Sequence, residues 1–330
     1  MSPPPPAAAL ADIALADRPA GAPALTVALP VSVPAAVKDG TLLGIACILG
    51  STLFFSSADI AAKALTDTVH PVQVAWMRYV IFLVVLFPVI LLWRGPGAFV
   101  PRRPMLQIGR GLCVSVSAAF FIMGLQYLPV ADNTAINYLS PLFITALSIP
   151  LLGEKVGPRR WAAAFVGFLG VLLVARPGSE SFQIGALFPM AAAFIWGFGA
   201  IFTRMLADEA PETTLVWTGM VGFISMTVVV PIWWTPFDSH ELGLGILNGL
   251  GSVVGHVFVV LAFRHASASL LAPFSYAQLV TATVLAYMAF GDIPGFYTVL
   301  GGLLIVGSGL YTAHRERVRR SEAATARRAA

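Results

Sequence analysis

Charge is what this sequence has least of. Only 11% of its 330 residues are Asp, Glu, Lys or Arg, while 58% are hydrophobic; an ordinary soluble domain is roughly 25% charged. A soluble fold cannot hide that much apolar surface, so the solvent for most of the chain is a bilayer. Cysteine is nearly absent too. Cys47 and Cys113 both fall in apolar runs and imply no disulfide framework. The chain holds no GxxxxGK[ST] phosphate loop, no GxSxG elbow and no HExxH pair, and its histidines, His70, His240, His256, His265 and His314, are dispersed. These absences argue against ATP hydrolysis, a nucleophilic hydrolase and a bound metal, and no cofactor is expected. His240 and Glu241 read as an isolated loop pair. Basic residues lie mainly in short loops and one tail, which speaks for membrane topology and against nucleic acid as a partner.

The first forty residues are rich in Pro and Ala and read as a disordered tail. Ahead of Arg18 the only charges are Asp12 and Asp17, so the basic start of a signal peptide is missing and the first apolar span is expected to be retained. Apolar runs predict helices over 41–65, 72–93, 106–126, 133–152, 160–176, 183–204, 213–234, 244–263, 270–290 and 294–312. Alternating the loops places Arg94, Arg102, Arg103, Arg110, Lys155, Arg159, Arg160, Arg204, Arg264 and the arginines of the last sixteen residues on one face. The other face receives Arg176, with Lys63 and Arg78 near helix ends. That separation predicts both termini in the cytoplasm and a place in the cell's inner membrane.

The stretch YLSPLFITALSIPLLGEKVG, from Tyr138, returns in outline 138 residues later as YAQLVTATVLAYMAFGDIPG, from Tyr276. Upstream, Gly111 meets Gly249 and Phe120 meets Phe258. At a shift of 141, Lys63 meets Arg204, Asp67 meets Asp208 and Trp76 meets Trp217. A repeat of five helices re-enters the membrane from the opposite side, so the expected fold is an all-α integral membrane protein of ten transmembrane helices in an inverted-topology 5+5 repeat. The expected division is a tail over 1–40, repeats over 41–178 and 179–313, and a basic tail over 314–330. The LGE motif at 152–154 followed by RRWAAAFVGFLGVLLVARPG, and the FGD motif at 290–292 before a Gly-rich last helix, resemble the paired EamA domains of the drug/metabolite transporter superfamily. The resemblance covers residues 41–312 and implies a secondary carrier of a small metabolite such as riboflavin or an amino acid, with S-adenosylmethionine uptake as the alternative. A passive channel differs by faster flux and no counterflow.

Charges inside the first two spans are the main candidates for a site. Ser56, Asp59 and Lys63 share one face of the first helix at i, i+3 and i+7. Two readings stay open: an internal Asp59–Lys63 pair, or a cluster completed by Arg78 that takes an anionic group or lets Asp59 carry a proton. Ala200 stands opposite Asp59 and Gly219 opposite Arg78, so the second half does not duplicate the cluster. Asn133, Asn137 and Ser140 run down the fourth span, with Ser275 and Gln278 matching the last two, beside Tyr138 and Tyr276. Such groups line a cavity or bond helix to helix. His256 is a second candidate for proton coupling, and Pro141 and Pro273 are hinge candidates. Glu154 and Asp292 are expected to cap the helix that follows each; Trp76 and Trp217 are interface anchors, with Trp76 also near the expected site. Expected partners are a small-molecule substrate, the lipid bilayer and protons, in a monomer or homodimer.

Overall fold

The computed structural model describes residues 41–153, 157–176, 184–266 and 268–329. The expected N-terminal tail and Glu154 lie outside these residues. Twelve α-helices follow one another: α1 (Thr41–Leu65), α2 (Pro71–Arg94), α3 (Pro104–Tyr127), α4 (Val130–Asn137), α5 (Ser140–Leu152), α6 (Pro158–Ala175), α7 (Leu187–Met205), α8 (Pro211–Val229), α9 (Ser239–His265), α10 (Ala268–Ser275), α11 (Ala277–Phe290) and α12 (Phe296–Ala329). Strands are absent among the described residues.

Local chemistry accounts for many of the helix ends. Pro71, Pro104, Pro158 and Pro211 each open a helix, where a missing N–H costs nothing and the fixed φ already suits the first turn. Glu241 is no loose loop acid. Its backbone N–H donates to Asp238 Oδ1 at 2.7 Å and its carboxylate accepts from the Asp238 N–H at 3.0 Å, a reciprocal cap that starts α9. Gly153 and Gly291, the glycines of the two repeated motifs, end α5 and α11 with φ of +67° and +73°. Any side chain there is strained, which explains the repeated glycine. Asp292 makes no hydrogen bond among the described residues, so the expected cap is not formed there.

Two expected spans are each broken in two. The fourth divides around Tyr138–Leu139, between α4 and α5, and the ninth at Tyr276, between α10 and α11. Pro141 lies in the first turn of α5, so it cannot donate to the Asn137 carbonyl four residues back. In the other break the Leu279 N–H turns to the Tyr276 carbonyl at 3.0 Å and leaves that of Ser275. The hinge candidates Pro141 and Pro273 therefore flank the breaks.

Packing pairs the halves of the chain. α1 lies along α9, α3 along α7, α6 along α12 and α2 against α8. Where α6 crosses α12, a Cβ on Gly170 would meet the Gly301 carbonyl oxygen at 2.7 Å, so two glycines let the backbones touch. Among the described residues seven segments are long and apolar enough to cross a membrane, among them Val130–Leu152 counted across its break; Trp161–Ala175 and Phe296–Thr312 are shorter apolar helices. Large apolar side chains such as Leu92, Val228, Met288 and Leu303 point outward, the surface a bilayer covers and water does not.

Candidate functional site

Asp59 is only 5% exposed, although it is charged. Burying a lone carboxylate is costly, so its partners decide what it does. Arg78 Nη2 donates to Asp59 Oδ1 at 3.4 Å, and Gln278 Nε2 donates to Oδ2 at 3.4 Å. Arg78 is itself held, because its Nε donates to Asn248 Oδ1 at 3.0 Å while Asn248 Nδ2 donates to the Val74 carbonyl at 3.3 Å. One turn before Asp59, Ser56 and Thr281 share a hydrogen bond of 2.7 Å. Three helices, α1, α2 and α11, thus meet on one carboxylate, and α9 joins them through Arg78. Lys63 takes no part in that pair. Its Nζ donates to the Leu125 carbonyl at the end of α3, at 2.6 Å, a longer reach than the i, i+4 pairing but one that satisfies a free carbonyl at a helix end.

Arg110 has partners that its place among the basic residues of one face does not reveal. It lies six residues inside α3, about 9 Å from the helix start. Its Nε donates to Thr203 Oγ1 at 2.7 Å, and Nη1 donates to the Thr214 carbonyl at 3.4 Å and to Thr218 Oγ1. All three acceptors are neutral. The shift of 138 that matches Gly111 with Gly249 also sets Arg110 opposite Asn248, the residue that holds Arg78.

Tyr138 and Tyr276, the residues at the two breaks, stack on each other with ring centroids 5.0 Å apart and planes at 30°. The Tyr138 hydroxyl donates to the Ser275 carbonyl at 2.8 Å, the carbonyl that Leu279 leaves. The Asn137 side-chain oxygen is buried with no partner, and Asn133 donates to the Phe121 carbonyl at 3.1 Å. His256 is wedged edge-on between Phe55 and Phe82, and its Nδ1 lies 2.7 Å from the Ser252 carbonyl. Trp76 donates to Thr227 Oγ1 at 2.9 Å and meets Trp234 edge-on; Trp217 donates to the Phe99 carbonyl at 3.0 Å. Of the expected site residues, Asp59, Arg78 and Gln278 therefore touch directly, Tyr138, Ser275 and Tyr276 touch at the breaks, and Lys63, Trp76 and His256 have other partners.

Ion pairs mark the end of the bundle where α2 finishes and α8 begins. Glu212 accepts from Arg94 at 2.7 Å and from Arg264 at 3.3 Å, and Arg103 pairs with Asp208 at 3.2 Å. Elsewhere, Asp132 and Arg176 line a recess of about 190 Å³ walled by Leu128, Ile136 and Val174. No cluster of His, Cys, Asp and Glu suited to a metal occurs among the described residues.

Against known proteins, the EamA-like transporter family model matches residues 42–176 and again 183–312. Over 278 residues the chain is 28% identical to the S-adenosylmethionine uptake transporter of Rickettsia prowazekii (strain Madrid E), covering 84% of this chain and 94% of the relative. It is 31% identical over 230 residues to the riboflavin transporter of Rhizobium johnstonii (67% of this chain, 74% of the relative). It is 25% identical over 277 residues to the pseudopaline exporter CntI of Pseudomonas aeruginosa (82% and 94%). A crystal structure superposes with a TM-score of 0.60 at 23% identity, covering 86% of this chain and 98% of that one, and shares the fold.

Proposed function

The chain belongs to the EamA-like transporter family, and from that premise we propose that it is a secondary carrier working by alternating access. It is a multi-pass membrane protein of the drug/metabolite transporter superfamily and a transporter, not an enzyme. The two matched stretches are the two repeats, ten spans in all when the broken helices count as one each and α6 and α12 are included. Their inverted arrangement puts both termini in the cytoplasm of an inner-membrane protein, as a monomer or homodimer. The tails at 1–40 and 314–330 stand outside the repeats.

The observation that carries this reading is the buried Asp59, which joins α1 and α2 of the first half to α11 of the second, with α9 holding its partner Arg78. A carboxylate gripped from both halves is broken and remade whenever the halves rock, which is the motion a carrier needs. Arg78, Gln278, Asn137 and Ser275 offer polar contacts to the substrate, with Lys63 and Trp76 at the rim near the helix ends. Tyr138 and Tyr276 part to admit a planar group, the breaks beside Pro141 and Pro273 acting as hinges. Asp59 and His256 are the groups that would couple transport to protons. The substrate is a small amphipathic metabolite of the kinds that the relatives' names span.

Counterflow in proteoliposomes tests this. Vesicles preloaded with riboflavin, single amino acids or S-adenosylmethionine are offered the matching labelled compound, with and without a proton gradient. Accumulation with one compound is the expected result. Flux without counterflow would make the protein a channel.

A further inference from the structure

Arg78 and Arg110 both lie inside the bundle, and among the described residues Arg78 has a carboxylate partner and Arg110 has none. Lys63 joins the end of α1 to the end of α3, so these two ends lie side by side. Asp59 lies six residues before the end of α1 and Arg110 six residues after the start of α3, so the two stand near opposite ends of the bundle, each about 9 Å in. Around Arg78, α9 supplies Asn248 as the holder and α1 supplies Asp59 as the anion. Around Arg110 the roles come from the other half: α8 supplies Thr218 and the Thr214 carbonyl, and α7 supplies Thr203. The residue one turn before Thr203, on the same face of α7, is Ala200, the position that matches Asp59.

Among the described residues no carboxylate lies within ion-pair distance of Arg110, and its Nη2 has no acceptor. Arg110 is partly buried and its holder Thr203 is exposed, so the site opens to the outside at Thr203. With Nε and Nη1 held by two threonines and a carbonyl, Nη2 keeps its N–H groups for an outside acceptor, and a carboxylate matches it by charge and by a charge-assisted hydrogen bond. We infer that Arg110 is the docking group for a carboxylate carried by the transported molecule, at the place where the second half omits its own. This rests on the carrier reading above and narrows it to substrates bearing a carboxylate. Arg78 is the poorer docking group, since Asp59 already fills the role.

The test reads guanidinium chemistry and does not require the substrate to be known beforehand. The full chain in proteoliposomes is treated with phenylglyoxal, and modification of Arg110 and Arg78 is followed by peptide mass spectrometry. Protectants are a panel of amino acids and S-adenosylmethionine, each beside its decarboxylated counterpart, with riboflavin as the compound without a carboxylate. Arg110 is expected to react faster than Arg78, and one carboxylate is expected to slow it about tenfold when present at ten times its Kd, its decarboxylated counterpart having no effect.

Ala200→Asp is expected to abolish both the fast reaction and its protection while the protein stays folded, because it installs the missing anion. Arg110→Lys, which keeps the charge but not the fork, is expected to keep part of the carboxylate preference in counterflow. An unreactive Arg110, or protection by no carboxylate on the panel, overturns the inference. So does a rate that follows the content of anionic phospholipid and ignores the soluble carboxylates, since the guanidinium is then held by headgroups. Protection without counterflow would leave this inference standing and remove the carrier reading. Counterflow without protection would do the reverse.

Discussion

Arg78 and Arg110 occupy matching surroundings near opposite ends of the bundle and differ in their electrostatics. Arg78 is tied to Asn248 and to a buried carboxylate, so the net charge of that pair is zero. Arg110 is tied only to neutral oxygens and keeps its full positive charge. In a bundle built from two copies of one plan, stability alone gives no reason to neutralise one cation and leave the other. The difference teaches that the plan is shared while the chemistry is not. The site around Arg78 is closed by Asp59, and the site around Arg110 is open to an anion from outside.

The largest effect is expected from breaking the closed site. Arg78→Ala leaves Asp59 buried without a counter-charge, which costs about 3–5 kcal/mol; the expected outcome is poor yield of folded protein and no counterflow. Removing both charges with Asp59→Asn and Arg78→Gln is expected to restore much of the thermal stability but none of the transport. If the double variant transports like the wild type, the ion pair has no part in the cycle.

Next in size is an exchange of the anion between the halves. In Asp59→Ala combined with Ala200→Asp, the counter-ion moves from Arg78 to Arg110. Phenylglyoxal is then expected to modify Arg78 rapidly and Arg110 slowly, the reverse of the wild type. Unchanged rates would mean that Ala200 does not look toward Arg110 as Asp59 looks toward Arg78, and the matching of the two sites would fail.

A smaller effect is expected at the two tyrosines. Tyr138 donates to the carbonyl of Ser275; the Tyr276 hydroxyl instead lies against Gly309 of α12 and has no hydrogen-bond partner among the described residues. Tyr138→Phe removes a bond that is made here, worth about 1 kcal/mol or a factor of about five in an equilibrium. It is expected to slow counterflow by about that factor with little change in substrate affinity. Tyr276→Phe is expected to leave the structure described here as stable as before. Equal losses in thermal stability for the two variants would make the breaks equivalent and remove this asymmetry.

Much of the fold was legible because apolar runs report membrane depth directly. The run predicting 41–65 coincides with α1, and 72–93 differs from α2 by one residue at either end. The breaks were less legible, since a proline marks a missing donor without saying which side of it the helix opens. Pro141 follows its break and Pro273 precedes its own. At the site, the i, i+3, i+7 spacing correctly put Ser56, Asp59 and Lys63 on one helix, but spacing along one helix cannot say which other helix supplies the partner. Lys63 found a carbonyl of α3 and Asp59 found Arg78. Asn248 went unnoticed among the glycines of its span. Arg110 was less legible as a site residue, because a charge near a helix end satisfies the topology rule whether it faces the lipid surface or the bundle; its match with Asn248 is the signal that points into the bundle.

The smallest effect concerns the first turns of α2 and α8, matching helices that start differently. Before Pro71 stands His70, whose Nδ1 accepts from the Val72 N–H at 3.3 Å and whose ring stacks on Trp233 at 4.5 Å; before Pro211 stands Ala210, which has no side-chain cap. Burial holds the His70 pKa below its ordinary value, so the folded state keeps the ring neutral. A protonated Nδ1 cannot accept, and the unfolded chain binds the proton more readily than the folded one. The cap's contribution is therefore complete above about pH 6.5, the unfolded value, and is lost as the pH falls through the lower folded one. Wild type should lose thermal stability relative to His70→Asn between pH 7.5 and pH 5, because asparagine caps without titrating. Ala210→Ser, supplying the second half with the cap it lacks, should add about 0.5–1 kcal/mol at every pH. A pH-independent gap between wild type and His70→Asn would show that His70 acts through its stacking on Trp233 and not through its nitrogen.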